Sequence, residues 1–247
     1  MIRDELRDYL TTTFPEQRTT DVRIGLGYSA VMLEDDNVGV AYTFREGTGG
    51  GCSVFLGKRP IAGRTTTELL EYLGSKDRIE STIGLAVANA LTNRPHPEQS
   101  EGDILEALPL KPEDRVGMVG YFGPLVGPLE GRVKELVIFE RDLTRSERVL
   151  PAKEALSQLP QCDVALITST SLILDNLDRL LEATAGCREV ALVGASTPLA
   201  PAVFRSRGVT LLSGITVTDG SGILQIVSEG GGMGFFGKCV RKVNIRV

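Results

Sequence analysis

The stretch "RVGMVGYFGPLVGPLEGRVKELVIFERD", Arg115 to Asp142, decides the fold. A short apolar run enters a glycine-rich turn, and a second apolar run ends on acid. A dinucleotide fingerprint in that frame needs G-x-G-x-x-G, for the turn, for close approach of pyrophosphate and for helix packing. Here Gly117, Gly120, Gly123 and Gly127 fall at intervals of three, three and four. Pro124 suits a first helical position, but Pro128 falls where helix amides should already be bonded, so a long cofactor-binding helix is not expected to start normally. Glu140, about 20 residues past the first turn, keeps the place of a ribose-binding acid. The frame survives and the phosphate cradle does not. The glycines serve either a tight steric turn or a site for something other than pyrophosphate.

Downstream, the apolar runs "DVALITST", "EVALVGAS" and "VTLLSGITV" alternate with helical segments "LILDNLDRLLEATAG" and "PLAPAVFRSRG". Continuous apolar strands separated by helices imply a parallel sheet covered on both faces. Residues 115–247 therefore read as a Rossmann-like domain, with any ligand outside the carboxyl ends of its strands. Upstream, "NRPHPEQSEGDILEALPLKPED" holds four prolines and many charges, the composition of a linker, placed at 96–114. Residues 1–95 form a small α+β unit. A helix over 2–12 precedes two β-rich runs, 22–34 and 37–44, expected as an antiparallel hairpin. Thr65 then caps "TTTELLEYLG", and "KDRIESTIGLAVANALTN" sets Ile79, Ile83, Ala86, Val87, Ala90 and Leu91 on one helical stripe. The class is α/β overall.

The chain has 247 residues, 42% of them hydrophobic, with 27 basic against 32 acidic side chains. No basic stripe interleaved with aromatics appears, and "KCVRKVNIR" reads as a strand with a solvated face, so a nucleic-acid partner is not expected. No apolar run approaches the length that spans a bilayer, and "MIRDELRDYL" is an amphipathic helix, so no membrane partner is expected and the chain reads as cytoplasmic. Homo-oligomerisation stays open. Cys52, Cys162, Cys187 and Cys239 are far apart, without C-x-x-C, paired histidines or H-E-x-x-H. A metal site built by the protein is therefore not expected.

In their order along the chain, "IESTIGLAVANAL", "GYFGPL", "TSTSLILDNLDRLL", "VALVGASTPLAPAVF" and "GVTLLSGITVTD" resemble the bacterial and archaeal putative heavy-metal chelation family. That uncharacterised group joins an enolase N-terminal-like domain to a Rossmann-like domain. The resemblance implies a site at the interface of the two domains, partly similar to Rossmann-like methyltransferases. It also implies condensation or hydrolysis of a pterin-, flavin- or siderophore-like precursor.

Candidate residues follow. Glu80 is read as a general acid or base, the resemblance adding to that reading, or as a solvated charge beside Lys76. Asn89, among alanines, is a polar anchor or an interdomain hydrogen bond. The two lie about two and a half turns apart and face different sides of their helix. "TSTS", Thr168, Ser169, Thr170 and Ser171, ends one strand, where Ser171 could also cap a helix from Leu172, with Asp175 and Asn176 in its first turn. "GAST", Gly194, Ala195, Ser196 and Thr197, repeats the device at the next strand. Asp219 is a third such position or a surface turn. His96, the lone histidine, sits between prolines and is either a solvent-exposed loop residue or one that reaches the cleft between the domains. The glycine runs 47–52 and 229–237 are candidate closing loops. Tyr121 and Phe122 offer adjacent stacking surfaces, with Gly123 for close approach, in a chain of 5% aromatic residues. Three functions fit: an enzyme on such a precursor, a non-catalytic binder, or an S-adenosylmethionine-type methyltransferase. For the last, Glu140 suits a ribose but the glycine spacing does not. Cofactor identity lies beyond the sequence.

Overall fold

The computed structural model describes residues 1–45 and 53–247. The glycine run at 47–52, Cys52 included, lies outside the described residues. The fold class read from the sequence is the one observed: a small antiparallel sheet with helices, then a larger, mostly parallel sheet.

In the first half, α1 (Ile2–Thr13) leads into β1 (Thr19–Ile24), β2 (Tyr28–Leu33) and β3 (Val38–Tyr42), which pair antiparallel in that order. The expected two-stranded hairpin is thus a three-stranded meander. The long run breaks at Gly25, whose N–H closes the turn on the Tyr28 carbonyl at 3.1 Å. A side chain there would meet the Val227 carbonyl at 2.3 Å, so the turn needs glycine. Next, α2 (Thr66–Leu70) begins with a reciprocal cap between Thr65 and Glu68. The Asp77 carboxylate accepts the Ile79 and Glu80 amides at the start of α3 (Arg78–Thr92), a cap contributing about 1 kcal/mol. The stripe read from the sequence is buried, and so are Leu85 and Ala88, because α3 is enclosed on nearly every side.

The chain continues through β4 (Gln99–Glu101), α4 (Ile104–Ala107), β5 (Arg115–Val119), α5 (Gly123–Glu130), β6 (Glu135–Glu140) and β7 (Val149–Pro151). Then come α6 (Ala155–Gln158), β8 (Val164–Thr168), α7 (Leu177–Ala183), β9 (Glu189–Val193), α8 (Pro201–Phe204) and β10 (Leu211–Val217). Last are α9 (Gly220–Ser228), α10 (Met233–Phe236) and β11 (Val240–Arg246). The large sheet runs β4-β11-β10-β9-β8-β5-β6-β7. From β7 to β10 every pair is parallel, and the order is that of a doubly wound sheet whose direction of winding reverses between β5 and β8. β11 returns antiparallel, and β4, from the proline-rich segment, pairs with it.

The turn after β5 carries no long helix: α5 starts at Gly123, passes through Pro128 and stops at Glu130, so the missing Pro128 amide interrupts only two turns. One local expectation differs. The helix after β8 begins at Leu177 rather than Leu172. A short 3-10 turn, Ser169–Leu172, comes first, and Asp175 takes a left-handed conformation at φ 56° that separates the two.

One apolar core joins both halves. Leu6, Leu10, Ile83 and Leu91 share it with Val119, Ile167, Leu192, Leu212 and Val243 on one face of the large sheet. Across the sheet, Met118 and Leu166 pack with Leu125 and Leu129 of α5. A third cluster seats Val38 and Val40 against Ile215, Ile223 and Phe236. Burying each such side chain contributes about 1.5–3 kcal/mol. No helix among the described residues is long and apolar enough to cross a membrane.

Candidate functional site

The ends of β5, β6 and β8 lie side by side where the winding reverses. Gly120 ends β5 with φ 92°, its N–H donating to the Phe139 carbonyl at 2.8 Å. A side chain there would press on Thr168 at 3.0 Å, so both conformation and space require glycine. The turn projects Tyr121 and Phe122. Glu140 braces it: Oε2 accepts the Tyr121 amide at 2.8 Å, and Oε1 accepts the Arg141 and Asp142 amides at 2.6 and 3.2 Å. At the end of β8, the hydroxyls of Thr168 and of Thr170 in the following 3-10 turn lie 2.9 Å apart.

The first half supplies the facing wall. Tyr28, Tyr42, Phe44 and Arg45 line, with Tyr121, Phe122, Glu140, Thr168, Thr170 and Asn176, a cavity of about 550 Å³. Its aromatic rings form an edge-to-face series, Phe236–Tyr28 at 5.2 Å, Tyr28–Tyr42 at 5.7 Å and Tyr42–Phe44 at 5.0 Å. The guanidinium groups of Arg78 and Arg141 stack over Phe44 at 5.7 and 5.5 Å.

Of the candidates read from the sequence, Tyr121, Phe122, Glu140, Thr168, Thr170 and Asn176 come together here, with Ser171. The others lie elsewhere, each for a visible reason. Gly123 opens α5 beside the Tyr121 ring. Ser169 is buried, its hydroxyl 2.7 Å from that of Thr197. Gly194, at φ 111°, bends the end of β9 past the Phe122 ring. Ser196 accepts the Tyr42 amide at 2.9 Å. Asp219 caps α9 through the Gly222 amide at 2.9 Å. Glu80 accepts the Ser75 hydroxyl at 2.6 Å, and Asn89 is buried in α3, donating to the Val40 carbonyl at 2.7 Å. Neither lines the cavity. The exposed His96 accepts the Glu98 amide at 3.2 Å and is not on its wall either. The 229–237 run forms α10, whose Phe236 supports Tyr28 from behind.

Sequence reasoning passed over Tyr28, Tyr42, Phe44 and Asn93. Asn93, at the end of α3, donates to the Thr197 and Ile215 carbonyls at 2.9 and 3.1 Å and accepts the Leu199 amide at 2.9 Å. It ties the first half to the large sheet. A polar residue closing an apolar helix was the signal available for it. For the aromatics, the apolar character of β2 and β3 showed strands but not what they met.

Soft metals need thiolates or imidazoles that converge. Among the described residues no three His, Cys, Asp or Glu side chains are placed to hold an ion. Burial raises the Cys162 thiol and pushes Cys187 up to about 12, which keeps both protonated.

Two family models match the chain, both described as putative heavy-metal chelation, one over residues 7–92 and the other over 103–246. An uncharacterized protein of Methanocaldococcus jannaschii is 26% identical over 233 residues, covering 89% of this chain and 88% of the relative. A protein of unknown function from Pyrococcus horikoshii has a crystal structure that superposes with a TM-score of 0.89 over 100% of both chains, at 21% identity, a likeness of fold. Another of unknown function, from Desulfitobacterium hafniense, gives a TM-score of 0.84 at 28% identity, covering 99% of this chain and 98% of that one.

Proposed function

The chain belongs to the putative heavy-metal chelation family, and from that premise we propose that it handles a small planar molecule in the cavity between its halves. The class is a heteroaromatic or chelator precursor, pterin-, flavin- or siderophore-like, bound for condensation or hydrolysis. One observation carries this reading. Three of five tyrosines and three of eight phenylalanines line a single cavity of about 550 Å³. That volume is within the usual range for small-molecule sites, and aromatic walls favour flat rings.

The described side chains do not fit a metal held by the protein, so in this reading the metal-binding groups belong to the small molecule. The adenosyl alternative draws less support. Glu140, the residue that would read a ribose, already accepts three backbone amides, and the turn lacks the closely spaced glycines that let backbone approach such a cofactor.

Native mass spectrometry of freshly purified protein tests the proposal. Wild type should carry a small molecule that leaves on denaturation, and Phe122→Ala should carry much less. Equal retention by the variant would contradict the reading. So would elemental analysis showing about one tightly held zinc, nickel or copper ion per chain, lost on replacing the cysteines.

A further inference from the structure

If the cavity is the ligand site, as proposed above, what its walls have left to offer narrows the ligand further. Among the described residues its two carboxylates, Glu140 and Asp142, are already occupied. Glu140 holds three amides, while Asp142 accepts the Thr144 amide at 3.0 Å and hydroxyl at 2.6 Å and pairs with Arg145 at 3.5 Å. Its donors are less committed. Among the described residues neither the Tyr28 nor the Tyr42 hydroxyl has a hydrogen-bond partner, although both rings line the cavity and meet edge-to-face at 5.7 Å. Burial, with the neighbouring Tyr42 phenol adding to it, pushes the Tyr28 ionisation up to about 12. Tyr28 is therefore an O–H donor throughout the physiological range. The Thr168 and Thr170 hydroxyls share one hydrogen bond between them, which leaves the second O–H available. Asn176 holds its Oδ1 buried and without a partner among the described residues; an amide's two edges exchange by rotation, so it does not decide the sign.

We propose that the cavity selects a planar ring acid, one that presents an anionic oxygen to the hydroxyls of Tyr28 and Tyr42. Phenols whose rings are held by packing donate to an oxyanion with little reorganisation, and hydrogen bonds to a charged acceptor are roughly twice as strong as neutral ones. A cationic ring would find the carboxylates already taken and three guanidinium groups on the same wall, with only hydroxyl lone pairs left to accept from it. Arg45, Arg141 and Arg145 line the same cavity; each has partners of its own, and their charge adds to the preference for an anion. The anion is a carboxylate or a phosphate on the ring, two sources of the same chemistry.

The test is titration calorimetry with three probes: salicylate, its neutral counterpart salicylamide, and phenyl phosphate. Each is titrated into wild type, Tyr28→Phe, Tyr42→Phe and Phe122→Ala, with circular dichroism confirming the fold. The phenylalanine variants keep the ring contacts, and Tyr42→Phe keeps the backbone bond to Ser196. At least one anionic probe should bind wild type about tenfold or more tightly than salicylamide, and each tyrosine variant should erase about tenfold of that affinity. Salicylamide binding should not change in those variants. The ratio of salicylate to phenyl phosphate names the source. Equal affinity for salicylate, phenyl phosphate and salicylamide overturns the proposal. So do phenylalanine variants that bind the anions like wild type; if Phe122→Ala then abolishes binding, the cavity reading stands without the phenol pair. Probes that bind all four proteins equally overturn both. No binding by any probe at millimolar concentration overturns the ring-acid proposal and leaves the cavity to the mass-spectrometry test.

Discussion

Two strand ends of the large sheet look alike in sequence and have opposite fates. After β8, "TSTS" opens onto the cavity through Thr168 and Thr170. After β9, "GAST" is consumed by the first half: Ser196 takes the Tyr42 amide, and the Thr197 carbonyl takes Asn93. Both present small hydroxyl residues and backbone amides at the carboxyl end of a parallel strand. What separates them is the edge strand β3 and the end of α3, which dock on the second and stop short of the first. A strand end becomes a site when nothing else in the chain pairs with it.

The docked end should be the costly one to disturb. Asn93→Ala removes a buried side chain and leaves the Thr197 and Ile215 carbonyls and the Leu199 amide without it. Urea denaturation should show a loss of about 3 kcal/mol or more, since each stranded buried group costs about 1–3 kcal/mol. A loss below about 1 kcal/mol would mean that the two ends do not differ as described.

A smaller effect concerns the cavity wall. Burial raises Tyr28 from the ordinary 10.0 to about 12. Below pH 10 the phenol is protonated in both folded and unfolded chains. Above it the unfolded chain ionises first, so stability falls as pH rises from about 10 to about 12, by up to about 2–3 kcal/mol. Cys187, pushed from 9.0 to about 12, adds a loss that begins lower. Stability measured against pH in Tyr28→Phe and Cys187→Ala separates the two, and an unchanged alkaline limb in Tyr28→Phe would show that its phenol is not buried in this way.

Next in size, Ser196→Ala leaves the Tyr42 amide without its acceptor and should cost about 1–2 kcal/mol. Its counterpart, Thr168→Val, should cost under about 1 kcal/mol, because the lost partner is another hydroxyl on a half-buried wall. The two substitutions should also divide by function: Thr168→Val weakens whatever the cavity holds, whereas Ser196→Ala acts on stability. The reverse pattern, read from melting and ligand retention, would invert the assignment.

Much of the frame was legible. The apolar runs at 115–119, 135–140, 164–168, 189–193 and 211–217 are buried parallel strands, and burial on both faces leaves that unbroken pattern. Thr65 and Asp77 cap the helices that follow them because their side chains reach the free amides of a first turn. β4 was hidden, since Gln99–Glu101 carries no apolar pattern and joins the sheet through backbone pairing and polar side chains, Ser100 to the Asn244 carbonyl and Glu101 to Arg241. Of the cavity wall, Tyr121, Phe122, Thr168 and Thr170 followed from the rule of strand ends. Tyr28, Tyr42 and Phe44 did not, because their place depends on how the small sheet docks. For the same reason Ser196 and Gly194 looked like ligand contacts until β3 and Phe122 were seen beside them.

The central claim is that the end of β8, and not the end of β9, is where a ring binds. A crystal structure of the protein soaked with a set of planar ring acids tests it most directly. The account expects ring density between Tyr28, Tyr42, Tyr121 and Phe122, within hydrogen-bond distance of a phenol. Density at Gly194–Thr197 with that cavity empty, in crystals where both regions are open to solvent, would contradict it.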